Sequence, residues 1–128
     1  VSGIGGYGDW SIVYGGYELT RGNLVPSHNR CSITEGGYFI VGNMCYVSLC
    51  IKILANLAGN NFWGIVDNMP RPILSKVAVS VSNMNTGTAM AATITQAGNG
   101  TNGTITFRTK DALAVNDEYC VSGWYMLE

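Results

Sequence analysis

The sequence predicts an all-β domain made of antiparallel strands. Its 128 residues are enough for one domain with its own core. Short runs rich in Val, Ile and Thr alternate with polar residues, as in strands that bury one face. Frequent glycines, 17 in all, separate these runs and indicate turns. Together the runs predict about eight short strands, arranged as a β-sandwich, a jelly roll or a barrel.

The first half of the chain predicts four of these strands. The Gly- and Tyr-rich start contains one short strand, at residues 10–14, and is otherwise an extended arm or a linker remnant. The segment CSITEGGYFIV predicts two strands joined by a Glu-Gly-Gly turn. After a break at Gly42, CYVSLCIKI predicts a central strand with an apolar inner face. That face carries Cys45, Val47, Leu49, Ile51 and Ile53.

The second half begins with a stiff elbow, Pro70-Arg71-Pro72. Because proline lacks an N–H group and restricts the residue before it, the elbow holds the chain extended and blocks edge pairing. The alternation of Val77, Val79 and Val81 then predicts an inner strand. A hairpin is predicted around the turn AGNGTNG, with TAMAATITQ and TITFRT as its two strands. A loop or a single helical turn is predicted for KDALAVNDE. The apolar YCVSGWYML predicts the last strand.

Charge and hydropathy limit the partners of the chain. With a net charge of −1 and no basic face, nucleic acid is not expected as a partner. No apolar run reaches the roughly 18 to 20 residues that span a bilayer, so membrane insertion is not expected either. The low content of charged residues, 12%, predicts that self-association covers part of the surface. The start at Val1 is expected of a piece of a longer protein or of a processed N-terminus.

The four cysteines predict buried thiols and no metal site. Cys45 and Cys50 are an odd number of residues apart, so on one strand they face opposite ways and do not pair with each other. We expect the cysteines, which include Cys31 and Cys120, to behave as small hydrophobic residues. There is no C-x-x-C pair for zinc and no calcium-loop spacing of aspartates. No metal and no cofactor is therefore expected.

Catalysis is not expected from the residue pattern. Ser27 precedes the single histidine, His28, but sequence neighbours rarely present a nucleophile and a base to each other. No nucleophile elbow of the G-x-S-x-G type is present. The carboxylates are scattered over turns, whereas glycoside hydrolysis needs two of them facing each other across a cleft. The sequence therefore predicts a protein that is not an enzyme.

Two loops predict carbohydrate binding, because sugars combine apolar ring faces with many hydroxyl groups. The first loop places Trp63 and Asp67 near Asn60 and Asn61, and the second contains His28, Asn29 and Arg30. The alternative for Trp63 is burial in a core, where large aromatic residues usually lie. Arg71 is a further candidate. It faces a ligand, faces a neighbouring subunit, or is an ordinary solvated turn residue.

The order of elements resembles a known family. The elbow Met69-Pro70-Arg71-Pro72 precedes the Val77 strand. A glycine-rich turn is then followed by a strand that contains Gly103, Ile105 and Phe107. The chain closes with an aromatic strand that contains Tyr119, Trp124 and Tyr125. In this order, residues 30–128 resemble the C-terminal head domains of bacteriophage tail fibres and receptor-binding proteins. Residues 1–29 are then an N-terminal arm with the first strand, and residues 30–128 form the β-sandwich head.

The resemblance implies a jelly-roll-like antiparallel β-sandwich that assembles as a homotrimer. It implies binding of a host cell-surface saccharide and attachment to the rest of the fibre through the N-terminus. It also implies a place at the fibre tip in the virion and assembly in the host bacterial cytoplasm, where cysteines stay free.

Other interpretations stay open. A collagen-type trimeric head of the C1q and tumour-necrosis-factor kind has a similar architecture. Functional alternatives are a structural trimerisation cap of a fibre and a monomeric carbohydrate-binding module of a bacterial enzyme. A glycan-cleaving depolymerase is a further alternative, and it would require a pair of carboxylates in a groove.

Overall fold

A computed structural model describes residues 18–128, and these residues form strands, turns and loops without a helix. The predicted strand at residues 10–14 lies outside the described part. The strands are β1 (Val25–Pro26), β2 (Cys31–Val41), β3 (Met44–Ile53), β4 (Asn61–Pro70), β5 (Lys76–Asn83), β6 (Ala89–Gln96), β7 (Asn102–Thr109) and β8 (Glu118–Met126). Residues 18–128 thus contain no helix of the length and hydropathy needed to span a membrane.

The eight strands form one nearly closed antiparallel sheet in the order β1-β4-β7-β6-β5-β8-β3-β2. The hairpin-connected strands β5, β6 and β7 are followed by β8, which returns to pair with β5, as in a Greek key. The all-β antiparallel class is confirmed. The two-layered jelly-roll arrangement and the homotrimer stay predictions.

The interior is filled by the alternating positions that the sequence predicted. Along β3 every second residue from Cys45 to Ile53 is buried, and the residues between them are half-buried. Ile94 of β6 and Ile105 and Phe107 of β7 are fully buried and complete the same core. Each such side chain contributes about 1.5 to 3 kcal/mol through burial. The period of two therefore determines which face of these strands points inward.

The prediction of two strands in CSITEGGYFIV is wrong, because this segment is the single strand β2. It pairs with β3 over its whole length, with a register shift between Ile33 and Glu35. Gly36 has a φ of +89° and packs against the backbone of Ser48 in β3. Gly37 lies against the carbonyl of Thr20, which forms a bridge with Tyr38. The two glycines thus allow close backbone contacts inside a bulged strand, and no turn is formed.

The strand β4 was not predicted, and the placement of Trp63 and Asp67 in a polar loop is wrong. Both residues lie on β4, which pairs with β7 through two register shifts. One shift places Ile65 and Val66 both in the core, and Asn68 has a φ of +70°. These bulges remove the alternation by which a strand is recognised in a sequence.

The elbow lies where the sequence placed it. Pro70 is the last residue of β4, and Pro72 forms an isolated bridge with Leu127 near the chain end. The Val77 strand that follows, β5, lies between β6 and β8. The prediction of an inner strand after the elbow is confirmed.

The expectation that all cysteines stay free is wrong for Cys50 and Cys120, which form a disulfide. They are directly opposite each other on β3 and β8. Cys31 and Cys45 are free and buried, and Cys45 and Cys50 do face opposite ways. Burial raises the pKa of the Cys45 thiol to about 11, so it is protonated at neutral pH.

We expect reduction of the Cys50–Cys120 bond to lower the free energy of unfolding by about 2 to 4 kcal/mol, because the bond closes a long loop in the unfolded chain. Its sequence separation is 70 residues. Urea unfolding of the oxidised protein and of Cys50→Ser/Cys120→Ser measures this loss. As a check on the pairing, alkylation in denaturant without reductant should label Cys31 and Cys45 alone. Labelling of all four cysteines would contradict the disulfide.

Candidate functional site

Three of the five predicted saccharide-binding residues meet where the β1–β2 connection crosses β4, and a fourth, Asp67, lies further along β4. The imidazole of His28 lies edge-on to the indole of Trp63, with the ring centroids 6.0 Å apart. The guanidinium carbon of Arg30 lies 5.8 Å from the centroid of the same indole. Asp67, further along β4, accepts a hydrogen bond from the Ser27 hydroxyl at 2.8 Å. We call these residues, His28, Arg30, Trp63, Asp67 and Ser27, the His28–Trp63 cluster.

Backbone pairing between β1 and β4 brings this cluster together. Val25 is opposite Asp67, and Pro26 is opposite Val66. The N–H of Ser27 then donates to the carbonyl of Ile65 at 2.9 Å. The β1–β2 connection therefore runs along β4 toward Trp63 and places His28 and Arg30 beside the indole.

Hydrogen bonds orient the two aromatic rings of the cluster. The backbone N–H of Arg30 donates to Nδ1 of His28 at 3.1 Å, so in the neutral ring the proton is on Nε2. That Nε2 is buried and has no hydrogen-bond partner among the described residues. The indole N–H of Trp63 donates to the carbonyl of Ala58 at 2.9 Å. Trp63 also packs against the core, so it is half-buried and has a fixed orientation.

A buried thiol lies beside the cluster but is poorly suited to nucleophilic chemistry. Cys31 begins β2, and its Sγ donates to the Ile65 carbonyl at 3.5 Å. Burial raises the pKa of the Cys31 thiol, although the backbone N–H of His28 acts in the opposite direction. A buried, protonated thiol is a weak nucleophile and a weak metal ligand. In residues 18–128, no group of three or more His, Cys, Asp or Glu side chains is placed to hold a metal ion.

Arg71, the fifth predicted residue, lies after the opposite end of β4 and is not part of the cluster. Its Nη1 donates to the Ala97 carbonyl at 2.8 Å and lies 3.4 Å from the Asn102 carbonyl. Its Nε lies 2.9 Å from a carboxylate oxygen of Glu128. The Arg71 side chain is only 18% exposed. These contacts tie the elbow to the β6–β7 hairpin and to the last residue of the chain.

Two surface features were not predicted from the sequence. Phe39, Tyr46 and Trp124 are opposite one another on β2, β3 and β8, with ring centroids 5.0 to 5.7 Å apart. We call them the aromatic row. The second feature is a groove whose lining includes Asn83, Arg108 and Asp117. Both depend on which strands pair, whereas the sequence shows only separate aromatic and polar residues.

No family model, curated protein or solved structure matches this chain. The geometry of the described residues is therefore the basis for assigning a function.

We expect Arg71→Ala to lower the free energy of unfolding by about 1 to 3 kcal/mol, because two partly buried carbonyl acceptors lose a charged donor. The matched substitution Arg30→Ala should change it by less than about 0.5 kcal/mol, since Arg30 is exposed. Urea unfolding of both variants tests this difference. Equal losses in the two variants would contradict the structural role of Arg71.

Proposed function

We propose that this chain is a non-enzymatic receptor-binding domain that recognises a saccharide through the His28–Trp63 cluster. The observation that carries the proposal is the convergence of His28 and Arg30 on the indole of Trp63. Asp67 lies on the same strand as Trp63 and is oriented by Ser27. An aromatic ring, a cation and an imidazole thus lie together, and a carboxylate lies further along the same strand.

These groups match the chemistry of a sugar. A pyranose ring has an apolar C–H face, which packs on an aromatic ring, and hydroxyl groups around its edge. The guanidinium of Arg30 supplies several N–H donors, and the carboxylate of Asp67 accepts hydrogen bonds from hydroxyl groups. Because Trp63 and His28 are already oriented, binding costs little side-chain entropy.

We further propose that the domain is the trimeric head at the tip of a phage or phage-like tail fibre, attached through its N-terminal arm. Support comes from the resemblance in element order and from the low content of charged residues. The aromatic row adds a surface suited to a subunit interface, since Trp124 is 52% exposed on the outer face of the sheet. Three copies would strengthen weak contacts with a cell-surface glycan by avidity.

A structural trimerisation cap is the second candidate function. The aromatic row favours it, because a cluster of three rings with Trp124 exposed serves assembly without any ligand. A monomeric carbohydrate-binding module would use the same His28–Trp63 cluster and would leave the aromatic row in solvent.

We expect Arg30→Ala and His28→Ala each to weaken saccharide binding about tenfold, as removal of one good polar contact costs about 1.4 kcal/mol. An array of immobilised bacterial surface oligosaccharides identifies the ligand, and isothermal titration of the full chain measures each variant. Arg21→Ala, which removes an exposed arginine outside the cluster, is the matched control. Unchanged affinity in both cluster variants, or an array without any bound saccharide, would refute the proposed site.

For the assembly, we expect light scattering after size exclusion to give three times the chain mass of 13.7 kDa. Trp124→Ser should shift the mass toward one chain, because it removes the exposed member of the aromatic row. A wild-type monomer that binds saccharide would instead identify a free carbohydrate-binding module. A trimer that binds none would identify a structural cap.

A further inference from the structure

A groove of about 510 Å³ lies between the β5–β6 connection and the β7–β8 connection. Its volume is within the range of small-molecule sites in proteins. We call it the Asn83 groove. Its polar lining residues include Asn83, Arg108, Lys110, Asp111, Asp117 and Tyr119. Met90 of β6 offers an apolar contact, whereas Leu113, from the β7–β8 connection, is only 3% exposed and belongs to the core.

A buried asparagine organises the inner end of this groove. Asn83 is 7% exposed, and its Nδ2 donates to Asp117 Oδ2 at 3.0 Å and to the Tyr119 hydroxyl at 3.2 Å. Its Oδ1 accepts the backbone N–H groups of Asn85 and Thr86, at 2.8 and 3.2 Å. All hydrogen-bonding atoms of this side chain are therefore used to position the groove's own residues. The carboxylate of Asp117 is held in place and can still accept further hydrogen bonds.

Two cations also belong to the lining of the groove. Arg108 and Lys110 are two residues apart, at the end of β7 and just beyond it, and both are exposed. The Arg108 guanidinium carbon lies 4.6 Å from the ring centroid of Phe62, which limits its freedom. Both cations also line an adjoining hollow of about 380 Å³, which contains Asn60 and Asn61 and no carboxylate.

Neither cation forms a direct ion pair with a carboxylate of the described residues. Across residues 18–128, the contact between Arg71 and Glu128 is the single ion pair within 4.0 Å. Asp111 and Asp117, although they line the same groove, are therefore beyond that distance from Arg108 and Lys110. Two neighbouring cations that are not engaged in a direct ion pair are available to an anionic group on a ligand.

We propose that the Asn83 groove is a second binding site and that it takes an acidic oligosaccharide. The carboxylate of a uronic or sialic acid unit pairs with Arg108 and Lys110. Hydroxyl groups of the neighbouring unit donate to Asp117, and an apolar ring face packs on Met90. This site lies on other strands than the His28–Trp63 cluster, and the proposal does not rest on binding at that cluster.

Isothermal titration of the full chain with three acidic probes tests the proposal. The probes are trigalacturonic acid, a hyaluronan tetrasaccharide and an α2,8-linked sialic acid trimer, and the carboxyl-reduced form of each is the neutral control. We expect at least one acidic probe to bind, its neutral form to bind at least about tenfold more weakly, and its affinity to fall as salt is raised. Arg108→Ala and Lys110→Ala should each weaken binding about tenfold.

Matched variants test whether binding depends on this groove in particular. Lys76→Ala and Arg21→Ala each remove an exposed cation that lies outside both sites, so both variants should bind the acidic probe as the wild type does. Amide NMR shifts on titration should appear at residues 84–91 and 108–117. The proposal is overturned if no acidic probe binds, if a neutral form binds equally well, or if the Arg108 and Lys110 variants bind like the wild type.

Discussion

The pairing of β1 with β4 is the constraint on which the arrangement of the first site depends. β1 has only two residues, yet its ladder to β4 is continued by the bond from Ser27 to Ile65. Together with the Cys31 contact to the same carbonyl, these bonds hold the two ends of the sheet close to each other. The interior is thereby covered where β1 and β2 meet. The same bonds place the loop with His28 and Arg30 beside Trp63.

The register between β3 and β8 organises the other side of the sheet. The two strands are paired without a shift from Met44 opposite Met126 to Lys52 opposite Glu118. This one register buries Val47, Leu49 and Val121. It also brings Cys50 opposite Cys120, and Tyr46 opposite Trp124. The core, the disulfide and the exposed aromatic row are therefore consequences of the same backbone alignment.

Three arginines illustrate how the surroundings decide the role of one residue type. Arg71 donates to partly buried carbonyl groups and has a carboxylate beside it, so its charge is used within the fold. Arg30 and Arg108 each lie over an aromatic ring, near Trp63 and Phe62 respectively, and both are exposed. A guanidinium on a ring keeps most of its N–H donors available. The two exposed arginines are thus suited to ligands, whereas Arg71 is suited to holding the chain end.

The sequence by itself determined the all-β class and the inward faces of the regular strands. The alternation along β3, β5 and β7 was correct residue by residue, because successive side chains of a regular strand point to opposite faces. The Gly-rich hairpin between β6 and β7 and the break at Gly42 were also correct, because glycine and asparagine tolerate turn conformations. These features depend on local chemistry alone.

Only the tertiary structure decided the bulged strands, the cysteine pairing and the composition of the two sites. Bulges in β2 and β4 disturb the period of two, so one strand was predicted as two and the other was missed. Asp67 and His28 were chosen from the sequence for their chemistry, but their proximity depends on a ladder between distant segments. Asn83, Arg108 and Asp117 were not chosen, because a groove between two connections has no local pattern. The physical reason is that strand pairing joins residues far apart in the chain, and side-chain periodicity carries no information about which strands become neighbours.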